Sequence, residues 1–233
     1  MDATGTHFRL WSPEADEAKV YLYDTDRNTP AVDSLTMKRD VKGTWTASVN
    51  KPLYGMFYTF RIKHNGKWLK HTPGIWAKAV GTNGERAAII DMAATVPEGW
   101  NTDKGPSLKA INDAVIYEMH HRDFSMHPSS GIVNKGKFIA LTEQDTKSML
   151  GDKTGIEHLK ELGITHVHIL PSYDYNSIDE SQLPSNGYNW GYDPYNYNAP
   201  EGSYSTNPSD PSARISEMKQ MVKSLHDAGI GVI

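Results

Sequence analysis

The sequence predicts a mixed fold: an antiparallel β-sandwich, then parallel strands alternating with helices. Three observations carry this. Residues 7 to 91 hold short stretches in which apolar and polar side chains alternate with period two, punctuated by Gly, Pro and Asn. Residues 113 to 233 hold three apolar stretches separated by patterns of helical period. The stretch between them, 96 to 112, has neither period. The expected division is therefore 1–95, a sandwich; 96–112, a linker; and 113–233, a βα-repeat region.

His7 to Trp11 and Lys19 to Tyr23 alternate as half-buried strands do, and so do Thr44 to Val49 and Phe57 to Lys63. His64-Asn65-Gly66-Lys67 reads as a hairpin, because Asn-Gly supplies the positive φ values of a type I′ turn. Ala87 to Asp91 closes the set. Pro97, Gly99, Gly105 and Pro106 then break any pattern.

Ala114 to Met119 is a nearly continuous apolar strand of the parallel-sheet kind. Thr154-Gly155-Ile156-Glu157 reads as a capping box, opening a helix with Ile156, Leu159 and Leu162 on one side and Gly163 just past its end. Thr165 to Pro171 is the next strand. Its His166 and His168 point to one face, and ordinary packing is favoured over metal binding because no third ligand lies nearby. Residues 172 to 209 form a long loop, of a length usually kept for function. Asp210-Pro211 starts a helix with Ile215, Met218, Val222 and Leu225 as its buried stripe, ended by Gly229. Ile230 to Ile233 begins a third strand. This order suits half of a doubly wound sheet or the start of a barrel; no Gly-rich phosphate loop follows the first strand, and the long insertions follow strand ends, where barrels place their sites.

Composition narrows the function without naming it. The net charge of -4 offers no basic footprint for nucleic acid, and no apolar run reaches membrane-span length. Zero Cys excludes disulfides and thiolate-ligated metal. No cofactor is expected, and nothing in the sequence supports a calcium site.

The informative stretch is Tyr188 to Asn198, in which five of eleven side chains are aromatic and four are amide or carboxylate. The apolar C–H face of a sugar ring lies well on an aromatic face, while its hydroxyls want short polar partners. A self-packed surface loop has the same composition. The string Tyr188-Asn189-Trp190-Gly191-Tyr192-Asp193-Pro194 decides between them, because it resembles the signature heptapeptide of type I pullulanases, debranching enzymes of the α-amylase family of glycoside hydrolases. Phe8-Arg9-Leu10-Trp11-Ser12-Pro13, Gly55 to Phe60 and Ala77 to Val80, leading to Asn83-Gly84, are similar to the carbohydrate-binding-module-like sandwich preceding the barrel in these enzymes. Thr72-Pro73-Gly74-Ile75-Trp76 departs from the family's Asp-Pro-Tyr. Ile116-Tyr117-Glu118, Arg122 to Ser125, Leu159 to Val167 and Pro200 to Ser205 resemble the barrel segments, in order.

The resemblance implies an amino-terminal β-sandwich followed by an incomplete (β/α)8 TIM barrel, the first three strands only. It implies an α-glucan substrate, α-1,6 hydrolysis with retention, and the remainder of the barrel polypeptide as a partner. Retaining hydrolysis needs two carboxyl groups about 5–5.5 Å apart. In the family these follow the fourth and fifth barrel strands, which the chain does not reach. Asp174, Asp193, Glu201 and Asp210 match no catalytic position, so no catalytic residue is assigned and the chain by itself is expected to be inactive. Tyr192 is the expected stacking residue of the reacting glucose; Asp193 and Asn189 would hold hydroxyls or the loop, and Trp190 would line the wall. Glu118, Arg122 and Asp123 read as barrel-mouth structure. Trp68 and Trp76 could form a sugar platform, with core or interdomain packing favoured. The rival reading is a non-catalytic glycan-binding or scaffold protein; the apolar Val232-Ile233 end, expecting neighbours, favours part of an enzyme.

Overall fold

The computed structural model describes residues 5–183 and 187–233; residues 1–4 of the expected sandwich and 184–186 of the long loop lie outside them. The amino-terminal half is built from β1 (Thr6–Trp11), β2 (Glu17–Tyr23), β3 (Asp33–Thr36), β4 (Lys38–Arg39), β5 (Thr44–Val49), β6 (Phe57–His64), β7 (Lys67–Trp68) and β8 (Ala87–Ala88). Two sheets result, one ordered β1-β5-β4 and the other β3-β2-β6-β7, with β8 pairing to β6. Every pairing among these strands is antiparallel.

Their facing side chains share one core. Phe8 and Trp45 come from the first sheet, and Ala18, Val20, Leu22 and Phe60 from the second, with Met37 and Leu53 at the margins. Full burial of each large side chain stabilises by roughly 1.5–3 kcal/mol. The Asn65-Gly66 turn joins β6 to β7 with φ of 49° and 74°, as that dipeptide requires. β3 and β4 are strands that alternation does not reveal, because both lie at sheet edges and are largely exposed and polar. The stretch 87–91 is strand only over β8, because the Asp91 carboxylate accepts from the Ala93 N–H and turns the chain into a 3-10 segment, Met92–Thr95.

The second half holds β9 (Ile116–Met119), a single helical turn α1 (Asp123–Met126), α2 (Gly155–Leu162), β10 (His166–Ile169), β11 (Tyr173–Tyr175), β12 (Pro194–Pro200), α3 (Pro211–Asp227) and β13 (Gly231–Val232). β9, β10 and β13 make a parallel sheet with β10 central. Met119, Val167 and Ile230 from its strands pack with Ile156 and Leu159 of α2, Met221 and Leu225 of α3, and Phe138 and Leu141 of a 3-10 turn. Val115, Ile116 and Ile233 remain more than half exposed.

Four sequence expectations are corrected. The Thr154 hydroxyl does not cap α2: it donates to the Ser130 carbonyl, so no capping box forms, and Glu157 pairs with Lys160 instead. Leu162 leaves the buried face of α2 and is 49% exposed. On α3, Met218 and Val222 are only partly buried, whereas Arg214 and Met221 are almost wholly buried. The helix faces an apolar core along one part and a polar cluster along another, so its inner face is not purely apolar. The region 172–209 is likewise no plain loop, because β11 and β12 pair in it as an antiparallel ribbon.

Candidate functional site

Because β9 and β10 are parallel, the segments leaving their C-terminal ends emerge on the same side of the sheet. His120 follows β9, Pro171 follows β10, and the Tyr188–Asp193 stretch lies across both. Gly191 is pressed on the second: it has φ +87°, and a Cβ there would come within 2.5 Å of the Pro171 carbonyl oxygen.

The polar members of the stretch hold it in shape. Asn189 Nδ2 donates to Asp193 Oδ1 at 2.7 Å, and Asn189 Oδ1 accepts from the Gly191 N–H at 2.7 Å. The Ser177 hydroxyl donates to the other carboxylate oxygen of Asp193, and the Asn176 N–H reaches its carbonyl at 3.2 Å. Hydrogen bonds from Ser177 and Asn189 hold the Asp193 carboxyl below its ordinary range, against a desolvation that pushes it up. With its polar side chains turned inward, the loop turns its aromatic ones out: Trp190 is 62% and Tyr192 67% exposed. Exposed aromatic side chains on a hydrogen-bonded frame make a surface for a flat, partly apolar ligand.

Beneath the ribbon lies a polar cluster that sequence pattern does not reveal. Arg214 of α3 meets Glu180 through Nη1–Oε1 at 3.1 Å and Nη2–Oε2 at 2.6 Å, and Asp174 at 3.4 Å. It also donates to the carbonyls of Gly81 and Pro208. The sandwich inserts its Gly81–Gly84 turn here. The Asn83 N–H donates to Glu180 Oε2 at 2.7 Å, Asn83 Oδ1 accepts from the Glu180 N–H at 2.8 Å, and Asn196 Nδ2 bridges the Gly84 carbonyl and Asp174. Burial pushes the Asp174 carboxyl up to about 7 and that of Glu201 up to about 8, the Glu180 charge adding to both. Asp174, Glu180 and Glu201 could together offer oxygen ligands to a cation, but the Arg214 guanidinium already lies against two of them and supplies the positive charge.

The remaining candidates fall outside this arrangement. Asp210 caps α3 by accepting from the Ser212 N–H. His166 bonds to the Thr165 hydroxyl and His168 pairs with Glu118, so the two histidines converge on no common point. Arg122 is held by Asp123 at 3.2 Å. Trp68 is half-buried with Lys19, Arg61 and Lys63 over its ring, whereas Trp76 is not packed away at all. Trp76 is 74% exposed, on a loop that borders a groove of about 560 Å³ with Trp11, Phe8 and Phe60.

Comparison with known proteins places this arrangement in a class. Residues 1–80 match carbohydrate-binding module 48, the isoamylase N-terminal domain. Over 99% of its length the chain is 42% identical to the pullulanase of Bacillus subtilis, of which it spans 31%. It superposes with a TM-score of 0.96 and 52% identity on a mutant of the Paenibacillus barengoltzii pullulanase crystallised with maltotriose, covering 99% of this chain and 36% of that one. On the pullulanase of Bacillus acidopullulyticus the TM-score is 0.93 at 42% identity, over 28% of that chain. The chain is therefore a relative of the debranching glycoside hydrolases. Within that class the relatives it matches over nearly its whole length are pullulanases, and it corresponds to their amino-terminal region, about a third of the length of the Bacillus subtilis and Paenibacillus barengoltzii proteins.

Proposed function

We propose that this chain is the amino-terminal region of an α-1,6-glucan debranching hydrolase acting on pullulan, glycogen or starch with retention of anomeric configuration. One observation carries the reading: a rigid turn at the C-terminal end of a parallel sheet presents Trp190 and Tyr192 to solvent while Asn189 and Asp193 lock its backbone. Tyr192 stacks on the glucose whose bond is cut, and Trp190 forms the neighbouring wall. Asp193 and Asn189 act chiefly through the loop, since their side chains are spent on each other, Ser177 and Gly191. The ligand is an α-glucan, in keeping with the maltotriose bound to the Paenibacillus barengoltzii relative.

In this reading residues 1–95 form a sandwich that braces the rest, 96–112 connect, and 113–233 are the first three strands of a (β/α)8 barrel. The barrel's remaining strands supply the paired carboxylates that a retaining mechanism requires. Asp174 and Glu201 are not that pair, because both are wholly buried, Asp174 against Arg214 and Glu201 on the Tyr175 and Ser203 N–H groups.

The test is made on the complete enzyme and on residues 1–233 separately. The complete enzyme should cut pullulan faster than unbranched amylose and release the α-anomer first, read by proton NMR. Residues 1–233 alone should release no sugar. Early β-product would overturn the retaining mechanism, and dominant amylose cleavage the debranching assignment. Activity of 1–233 alone would show that its own carboxylates suffice.

A further inference from the structure

We infer that His120 is the positioning residue of the aromatic platform, fixing the height at which Tyr192 meets its ligand; the inference rests on the debranching reading above. His120 stands directly after β9, with a side chain only 8% exposed. Its Nε2 lies 2.8 Å from the Asn189 carbonyl oxygen, an acceptor, so that nitrogen carries the proton and donates. Its Nδ1 then has a free lone pair, which accepts from the Asp123 N–H at 3.4 Å, and the Asp123 carboxylate lies 3.6 Å away. The Tyr188 ring centroid lies 5.2 Å from that of the imidazole, and the Tyr204 hydroxyl lies 3.3 Å from Nε2.

Asn189 is the pivot of the turn. Its carbonyl is tied to His120, its side-chain oxygen to Gly191 and its side-chain nitrogen to Asp193. Trp190, Gly191 and Tyr192 form the arc between those two anchors. Gly191 already rests on the Pro171 carbonyl, so the arc cannot sink further toward β10. Without the His120 bond it can tilt about the Asn189–Asp193 link and carry Tyr192 with it. A displacement of about 1 Å at a positioning group can cost about 10²-fold in rate. A platform that stacks on the reacting sugar should show this in kcat more than in KM, because alignment is realised in the transition state.

The experiment uses the complete enzyme on pullulan. His120→Phe keeps the ring contact with Tyr188 and removes all three hydrogen-bond contacts of the ring nitrogens, whereas His120→Gln keeps an N–H able to reach the Asn189 carbonyl. We expect kcat to fall about 10- to 100-fold for Phe, with KM changed less than about threefold, and Gln to recover most of the loss. In a Tyr192→Ala background His120→Phe should cost less than about threefold, since its effect passes through that ring. Should Phe not fold, His120→Asn, too short to reach Asn189, takes its place in the same cycle. Equal losses in both backgrounds, or no rescue by Gln, overturn the positioning role. A fully active His120→Phe overturns it while the debranching reading stands; a wild type inert on pullulan overturns that reading and this inference with it.

Discussion

Arg214 and Glu180 face each other as a two-point pair, Nη1 to Oε1 at 3.1 Å and Nη2 to Oε2 at 2.6 Å, with both side chains 1% exposed. One partner lies on α3, the other beyond β11, and Asn83 of the sandwich bonds to the same glutamate. The pair therefore fastens three parts of the chain at one point. Removing Glu180 would leave a desolvated guanidinium with only Asp174 opposite. Glu180→Ala should destabilise the chain by about 3–5 kcal/mol, with a melting temperature lower by on the order of 10 °C. Arg214→Lys should also cost stability, because an ammonium cannot make the parallel pair of bonds. Calorimetry giving less than about 1 kcal/mol for Glu180→Ala would mean that the pair contributes no more than a surface one.

Glu201 makes stability depend on pH. It is buried with Glu180 nearby, and its carboxyl is raised to about 8, so the folded state holds a proton that the unfolded chain has already released. That contribution is fully present below the ordinary carboxylate range near 4 and is lost as pH rises toward 8. Glu201→Gln should remove this dependence. The variant's melting temperature, relative to wild type, should rise between pH 5 and pH 8. A difference that stays constant across the range would place the folded carboxyl at its ordinary value.

Gly84 and Gly55 offer a matched comparison. Both have positive φ, +66° and +84°, so alanine strains either backbone. At Gly55 a Cβ meets nothing within 4 Å, whereas at Gly84 it would lie 2.3 Å from Asp174 Oδ2 and 2.6 Å from Asn196 Nδ2. Gly55→Ala should therefore cost about 1 kcal/mol, and Gly84→Ala clearly more, by prying the sandwich turn off the cluster. Equal melting temperatures for the two variants would show that the turn can back away.

Tyr192, Trp68 and Trp76 separate platform from sandwich. On the complete enzyme, Tyr192→Ala should lower kcat/KM on pullulan by about 100-fold, because it removes the alignment of the reacting sugar as well as an aromatic contact of about 0.5–1.5 kcal/mol. Trp76→Ala and Trp68→Ala should change it less than about threefold, since neither lies on the Tyr188–Asp193 turn. Equal losses at all three positions would remove the special role of the turn.

Much of this molecule is legible in its sequence. Period-two alternation gave β1, β2, β5 and β6 almost to the residue, and Asp210-Pro211 and Gly229 bracket α3, because these signals act over a few neighbouring residues. The Tyr188–Pro194 string points to the pullulanases because it resembles their signature heptapeptide. The edge strands β3 and β4 give no sequence signal because polar, exposed strands have no apolar face to alternate. Thr154 has the local pattern of a cap, but tertiary packing gives its hydroxyl a better partner in Ser130. The roles of Arg214, Glu180, Asn83 and His120 are silent in any window of sequence, although Asn83-Gly84 is itself part of the family resemblance. Their long-range partners lie 34 to 133 residues away, and a buried charge is tolerable only where its partners converge. Which polar groups meet is a property of the assembled chain; which segments could carry them was already set by local periodicity and turn chemistry.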